Sequence, residues 1–157
     1  MSNDHPSDSI VQQEAECIMF HAVQEWLNID LQKNVKVRLT DAPYPFIEPD
    51  FYSKDESVIG EIFAHIGKPK RGQHNKIAND VLKMLLLEKM TGRQYRKIIV
   101  VCDAVEENHL KGKSALAESI RQFGIEVKKI DLDDAMRTQI LTAQARQVMV
   151  NSGQLVE

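Results

Sequence analysis

Two runs rich in β-branched and aromatic residues lie close together in the first half of the sequence, and they constrain the fold more than any other stretch. The first run covers residues 46–52 and the second covers residues 57–65. A short polar and charged segment, residues 53–56, separates them. Two such runs joined by a short turn are typical of a β-hairpin. The sequence therefore predicts a hairpin around which the other elements pack.

The hairpin brings two carboxylates together. Because side chains alternate between the two faces of a strand, Asp50 shares a face with Glu48, and Glu61 shares a face with Phe63. A turn centred at residues 55–56 places Asp50 directly opposite Glu61. Opposed side chains have Cβ atoms about 4.5–5.5 Å apart, and like charges there are destabilising. A cation between the two acids relieves that repulsion, and carboxylate oxygens suit Mg²⁺ or Mn²⁺.

This pattern resembles a known nuclease motif. Pro49 and Asp50, ten intervening residues and then Glu61 on a second strand are similar to the motif of the PD-(D/E)XK nuclease superfamily, which has the restriction-endonuclease-like fold. The predicted order of elements resembles that family's core over residues 9–132. The resemblance implies an α/β protein with a mixed sheet flanked by helices, in the order αβββαβαβ plus a C-terminal helix. One position departs from the motif: the family has lysine two residues after the second acid, and this chain has Phe63.

Basic residues beyond the hairpin are candidates to replace that lysine. Lys76 leads, because it lies near the start of the next predicted helix and the resemblance implies that the lysine can be relocated there. Lys70 follows, and Lys68 can also reach in from the loop between hairpin and helix. His65 lies on the Glu61 face and is a further candidate for contact with a phosphate or a metal. The catalytic residues expected are therefore Asp50, Glu61, Lys76 and Lys70.

A third acidic ligand is implied on the first helix by the same resemblance. Glu14 is the candidate, with Glu16 and Glu25 as alternatives on that helix. The structural alternative is that Glu14 is a boundary residue on an amphipathic helix. Glu48 is a weaker candidate because the register sets it opposite Phe63. The predicted metal ligands are thus Asp50, Glu61 and Glu14.

Basic residues also cluster where the second long helix begins. Backbone N–H groups and the helix dipole favour anions at a helix N-terminus, and basic side chains add attraction for phosphate. A solvated surface loop is the structural alternative. The predicted nucleic-acid-binding residues are Lys68, Lys70, Arg71, His74 and Lys76.

Net charge limits how nucleic acid can be held. The formal net charge is −3, so the chain has no overall positive field that would hold DNA non-specifically. Any contact with DNA must use a local basic patch. Neither standard glycine-rich phosphate loop is present.

Length and composition indicate one α/β domain. The 157 residues suffice for a single core, which we place at residues 9–150, with a flexible tail at 1–8 and a C-terminal tail at 151–157. Cys17 and Cys102 are too few for a disulfide framework and are expected to be reduced. No apolar run is long enough for a membrane span, so we expect a cytoplasmic protein without a membrane partner.

The remaining elements follow from hydrophobic periodicity. Residues 28–34 are predicted to be a connector, and residues 103–113 to be a polar loop that precedes a helix capped by Ser114. The predicted helices are 9–26, 73–90, 114–123 and 133–150, and the other predicted strands are 35–40, 98–102 and 125–130.

The leading function expected from these features is metal-dependent hydrolysis of DNA phosphodiester bonds, with Mg²⁺ or Mn²⁺ as cofactor. The alternative is a catalytically inactive nucleic-acid-binding or regulatory module on the same fold, which Phe63 and the acidic net charge favour. A third hypothesis is an interaction protein that presents its C-terminal helix to a partner. Homodimerisation is open, because cleavage of two strands often needs two sites.

Overall fold

A computed structural model describes the backbone of residues 6–39 and 45–153. The helices are α1 (Pro6–Leu27), α2 (Arg71–Thr91), α3 (Ala104–Leu110), α4 (Ala115–Gln122) and α5 (Asp134–Gly153). The strands are β1 (Leu31–Lys33), β2 (Val37–Arg38), β3 (Phe46–Ile47), β4 (Phe51–Ser53), β5 (Val58–Phe63), β6 (Arg96–Val101) and β7 (Glu126–Lys129). The chain is an α/β protein, as predicted.

A mixed five-stranded sheet runs through the centre of the fold, in the order β1-β4-β5-β6-β7. The pairs β1–β4 and β4–β5 are antiparallel, whereas β5–β6 and β6–β7 are parallel. Strand β6 carries the continuous apolar run and is buried from Lys97 to Val101, which is typical of a strand covered on both faces. Strands β2 and β3 form a separate two-stranded sheet.

Helices cover both faces of the sheet. On one face, Phe51 and Ile62 pack in a core that includes Met19 of α1 and Met136 of α5. On the other face, Phe63 packs in a core with residues of α2, α3 and α4. The part of that face nearest the hairpin turn packs Tyr52 and Ile59 against α2 and the β2–β3 sheet. Alternation along β5 therefore directs Ile59, Glu61 and Phe63 towards α2.

The predicted hairpin register is confirmed for the end of the first run, which forms β4, whereas the beginning of that run forms β3 and pairs with β2 instead. Phe51 pairs with Gly60 and Tyr52 pairs with Ile59, so the turn is centred at residues 55–56. The Ser53 hydroxyl holds the turn, since it accepts hydrogen bonds from the backbone N–H groups of Ser57 at 3.0 Å and Val58 at 2.9 Å. The next opposed pair in this register is Asp50 and Glu61.

Two predicted irregular segments contain regular structure. Strand β1 lies within the predicted connector 28–34, because Leu31 is buried and the segment pairs with β4 along the sheet edge. Helix α3 lies within the predicted polar loop 103–113. Its N-terminus is capped by Asp103, whose carboxylate accepts the Val105 N–H, and its Leu110 is buried in the core.

Several boundaries differ from those predicted. The predicted strand 35–40 is reduced to β2, which pairs with β3 rather than with the main sheet. Helix α1 begins at Pro6 and includes the end of the predicted N-terminal tail, and α5 continues to Gly153. The rest of the two predicted tails, residues 1–5 and 154–157, lies outside the described residues. Among the helices described, none combines the length and apolarity that crossing a membrane requires.

Gly60 is required by the packing of the hairpin. A Cβ at this position would overlap the ring of Phe51, which is fully buried and cannot move aside. We expect Gly60→Ala to lower the free energy of unfolding by about 1–3 kcal/mol or more, the usual cost of overpacking a core. Gly72 in the first turn of α2 has open space around its Cα, so Gly72→Ala is the matched control. Urea denaturation measures both, and equal stability of the two variants would contradict this explanation.

Candidate functional site

Asp50 continues the hairpin where its backbone pairing ends. Pro49 has no N–H to donate, and the backbone pairing of β4 begins at Phe51. The Asp50 carboxylate accepts the Ile62 N–H at 2.8 Å and so provides a partner for that group on β5. This bond gives Asp50 a structural role and fixes its side chain beside Glu61.

Glu61 is a buried acid with another carboxylate as its neighbour. It is 6% exposed, and it lies opposite Asp50 in the hairpin register. Burial raises the pKa of Glu61 to about 10, with further contributions from the charge of Asp50, a hydrogen bond between the two carboxyl groups and the charge of Asp80. Lys76 opposes this rise. The pair thus lies in a poorly solvated place where two negative charges side by side are costly.

Asp80 joins this pair from α2, and sequence reasoning missed it. It is 4% exposed, and burial raises its pKa, as does the charge of Asp50, while Lys76 and Lys83 act in the opposite direction. A signal was present in the sequence. Asp80 lies three residues after Ile77 and four before Met84, which places an acid within the buried stripe of the helix.

Lys76 is the basic residue that the structure brings to these acids. Its Nζ lies 3.5 Å from Asp80 Oδ2 and 4.4 Å from the centroid of the Phe63 ring. Phe63 is the residue that stands at the lysine position of the motif. A cation from α2 therefore lies over the ring at the motif's lysine position, and its role as a replacement for that lysine stays a prediction.

The other predicted basic residues lie at the start of α2, apart from these contacts. Lys68, Lys70 and Arg71 are exposed. The Lys70 N–H donates to Gln73 Oε1 at 2.8 Å, so Gln73 caps the helix. His74 Nδ1 lies 3.4 Å from His109 Nε2 of α3. The structure groups these residues on one surface and leaves their predicted roles in DNA binding and catalysis as predictions.

The acidic candidates on α1, Glu14 and Glu16, have different surroundings. Glu14 lies on the exposed side of α1. A cavity of about 180 Å³ beside Asp50 is lined instead by Glu16, together with Cys17 and Lys33 among other residues. Glu16 was the open alternative to Glu14, and the identity of a third acidic ligand stays a prediction.

Two further candidates are placed away from the acid pair. Glu48 is exposed and lies outside the β4–β5 pairing. His65 Nδ1 lies 3.3 Å from Oε2 of Glu106, a fully buried residue of α3. His65 therefore contacts α3 rather than the Asp50–Glu61 pair.

The donor set is compatible with a hard cation that keeps water or phosphate ligands. Within residues 8–39 and 45–150, no group of three or more His, Cys, Asp or Glu side chains is arranged to hold a metal ion. Glu61 supplies carboxylate oxygens from β5, and Asp50 supplies them from the residue that precedes β4. Mg²⁺ is usually bound through one or two carboxylates, with waters and substrate oxygens completing its coordination. Two converging acids meet that requirement.

Comparison of the sequence with protein-family models and with curated proteins gave no match. The class that the fold defines is therefore an α/β protein with a mixed five-stranded sheet, and its function must be argued from the site.

The raised pKa of Glu61 predicts a pH-dependent stability. Between the ordinary carboxyl pKa of 4.5 and about 10, the folded protein holds a proton that the unfolded chain has released, so stability falls as pH rises through this window. Gln is neutral throughout, so Glu61→Gln should remove a slope on the order of 1 kcal/mol per pH unit. Urea denaturation between about pH 6 and about pH 9, with a chelator present, measures this slope.

Glu48→Gln is the control for that measurement, because it removes an exposed acid from the same hairpin region. We expect the stability advantage of Glu61→Gln over the wild type to grow from the acidic to the alkaline end, by about 1 kcal/mol for each pH unit. Parallel pH profiles for the wild type and Glu61→Gln would contradict the assignment of a raised pKa to Glu61.

Proposed function

We propose that this protein is a metal-dependent nuclease that hydrolyses DNA phosphodiester bonds. The observation that carries the proposal is the juxtaposition of Glu61 on β5 with Asp50, which immediately precedes β4. Burial and mutual repulsion make the doubly ionised pair costly, and a cation that replaces the proton would relieve that cost. Such a cluster of perturbed acids is characteristic of functional sites.

The architecture supports a restriction-endonuclease-like core. Helix α1 precedes the acid-bearing hairpin, and the hairpin strand β5 continues into parallel pairing with β6 and β7. This is the mixed sheet with flanking helices that the resemblance implies. Relative to the predicted order, β1 and α3 are additional, and the predicted strand 46–52 is divided into β3 and β4.

Asp50 and Glu61 would hold Mg²⁺ or Mn²⁺ in this proposal. When bound, the cation would supply Lewis-acid polarisation of the scissile phosphate and a nucleophile at neutral pH. The Ile62 N–H holds the Asp50 carboxylate in place, so the orientation of one ligand is set before the substrate arrives. Preorganised groups of this kind avoid reorganisation during the reaction.

Lys76 would stabilise the anionic charge that develops on the phosphate. Its ammonium group is held between Asp80 and the face of Phe63, and its side chain is 58% exposed. It can therefore contact a substrate without leaving its position on α2. Asp80 is then a positioning residue, because it acts on the substrate through Lys76.

A binding or regulatory module without catalysis is the second candidate. The observation in its favour is Phe63, which occupies the position of the motif lysine and is itself buried in the core. The nuclease and the binding module differ in one respect: in the nuclease, Lys76 supplies the positive charge that the motif lysine would supply and that Phe63 lacks.

Cleavage assays on linear, branched and single-stranded DNA with Mg²⁺ or Mn²⁺ test the proposal. Asp50→Asn is the preferred first variant, because an amide oxygen can still accept the Ile62 N–H. We expect Asp50→Asn and Glu61→Gln each to lower cleavage at least about 100-fold, the scale for loss of a group that stabilises developing charge. Circular dichroism verifies that both variants remain folded.

Lys76→Met tests the relocated cation, and Lys83→Met is its matched control. Both lysines lie on α2 and both pair with Asp80, but Lys83 lies 3.8 Å from the other carboxylate oxygen and does not contact Phe63. We expect about a 100-fold loss of cleavage for Lys76→Met and little change for Lys83→Met. DNA binding without metal-dependent cutting would favour the binding module, and undetectable binding at low salt would favour an interaction protein.

A further inference from the structure

A second basic surface lies at the other end of α2 from the predicted one. A cleft of about 450 Å³ opens between the β2–β3 sheet, the β4–β5 turn and the C-terminal end of α2. Among the described residues, four cations line this cleft, and one acid, Glu56, lies among them. These cations are Lys36, Arg38, Lys54 and Arg93. The cleft is thus locally positive in a chain whose net charge is −3.

The four cations come from separate parts of the chain. Lys36 precedes β2 and Arg38 belongs to it, Lys54 lies in the hairpin turn, and Arg93 follows α2. No run of basic residues in the sequence indicates this surface. Folding alone brings these charges together. Two of them already have acidic partners, Arg93 with Glu56 and Lys54 with Asp30 at 3.7 Å, and the positive excess that remains would favour an anionic ligand.

Part of the cleft is held in place before any ligand arrives. The Arg93 guanidinium donates to Glu56 Oε2 and to the Glu56 carbonyl oxygen, both at 3.0 Å, and it lies 5.4 Å from the centroid of the Tyr95 ring. Tyr52 and Tyr95 are buried and contact each other through their side chains. Because the Arg93 guanidinium is already held beside the buried tyrosine rings, it loses little conformational entropy when it binds a ligand.

The cleft also lies close to the candidate active site along the chain. Tyr52, which lines the cleft, is two residues from Asp50, so their Cα atoms are at most about 7 Å apart; Gln32, which also lines the cleft, is next to Lys33, which lines the cavity beside Asp50. Duplex DNA carries a phosphate charge for roughly every 1.7 Å of its axis. A duplex whose scissile phosphate lies at Asp50 and Glu61 therefore has further phosphates within reach of this cleft.

We propose that the cleft lined by Lys36, Arg38, Lys54 and Arg93 binds backbone phosphates of the DNA substrate, outside the scissile position. The identity of this ligand rests on the proposed function. The chemistry recognised is the phosphate group, so the contact carries affinity and orientation rather than sequence preference.

The test compares two double variants that change the net charge equally. Lys36→Gln with Arg38→Gln removes two cations of the cleft, and Lys128→Gln with Lys129→Gln removes two from β7, at the opposite edge of the sheet. Binding to a labelled linear duplex is measured in the Asp50→Asn background, which prevents cleavage, across about 50–200 mM salt.

We expect the cleft variant to bind at least about 10-fold more weakly at the low-salt end. Its plot of log affinity against log salt should be shallower by about 1.8, at about 0.9 for each phosphate that is no longer neutralised. The β7 variant should match the parent. Hydrolysis of the small diester bis(4-nitrophenyl) phosphate, measured with Asp50 intact, should be unchanged in the cleft variant.

Equal salt slopes for the two double variants would overturn the proposal, as would an absence of duplex binding at low salt. Inorganic pyrophosphate serves as a separate probe. If the cleft variant loses pyrophosphate binding but binds the duplex as tightly as the parent does, the site is for free phosphates and the proposal is wrong. If duplex binding depends on the cleft but the wild type does not cleave DNA, the cleft proposal stands and the nuclease proposal is wrong. If the wild type cleaves DNA but the salt slopes of the two double variants are equal, the nuclease proposal stands and the cleft proposal is wrong.

Discussion

The hydrogen bond from the Ile62 N–H to the Asp50 carboxylate is the interaction on which the candidate site depends. It forms just beyond the last backbone pair of β4 and β5, where a side-chain oxygen of Asp50, rather than a strand carbonyl, accepts the Ile62 N–H. One consequence is local stability, because a buried N–H without an acceptor is costly. The other is chemical, because the same bond fixes a carboxylate beside the buried Glu61.

Helix α2 links this acid pair to the rest of the molecule. Its first half presents Lys76 and Asp80 to the pair, and it does so from a helix anchored in the core by Ile77 and Met84. Basic surfaces lie near both of its ends, one at residues 68–76 and the other in the cleft that includes Arg93. Since the helix is 21 residues long, these surfaces are separated by about 30 Å, close to one turn of duplex DNA.

The sequence predicted the parts of the fold whose signals are local. The period-2 pattern and the polar turn defined the register that places Asp50 opposite Glu61, and the apolar run of β6 indicated a strand buried on both faces. Strand β1 and helix α3 were missed because they are short. Pairing with β4 and burial of Leu31 stabilise β1, and burial of Leu110 stabilises α3. The proximity of Asp80 to the acid pair and the assembly of the cation cleft depend on contacts between distant segments. Residue spacing in the sequence does not predict such contacts. The preference for Glu14 over Glu16 was a question of helix rotation, which the periodicity of α1 did not settle.

In the proposed site, Asp50 and Glu61 converge on one point that a divalent cation can occupy. Anomalous diffraction from crystals grown with Mn²⁺ tests this convergence directly, because the peak reports the position of the metal independently of activity. We predict a peak within about 2–2.5 Å of carboxylate oxygens from both residues, and its loss in Asp50→Asn crystals. A well-occupied Mn²⁺ elsewhere, with no peak between these two acids, would contradict the proposed site.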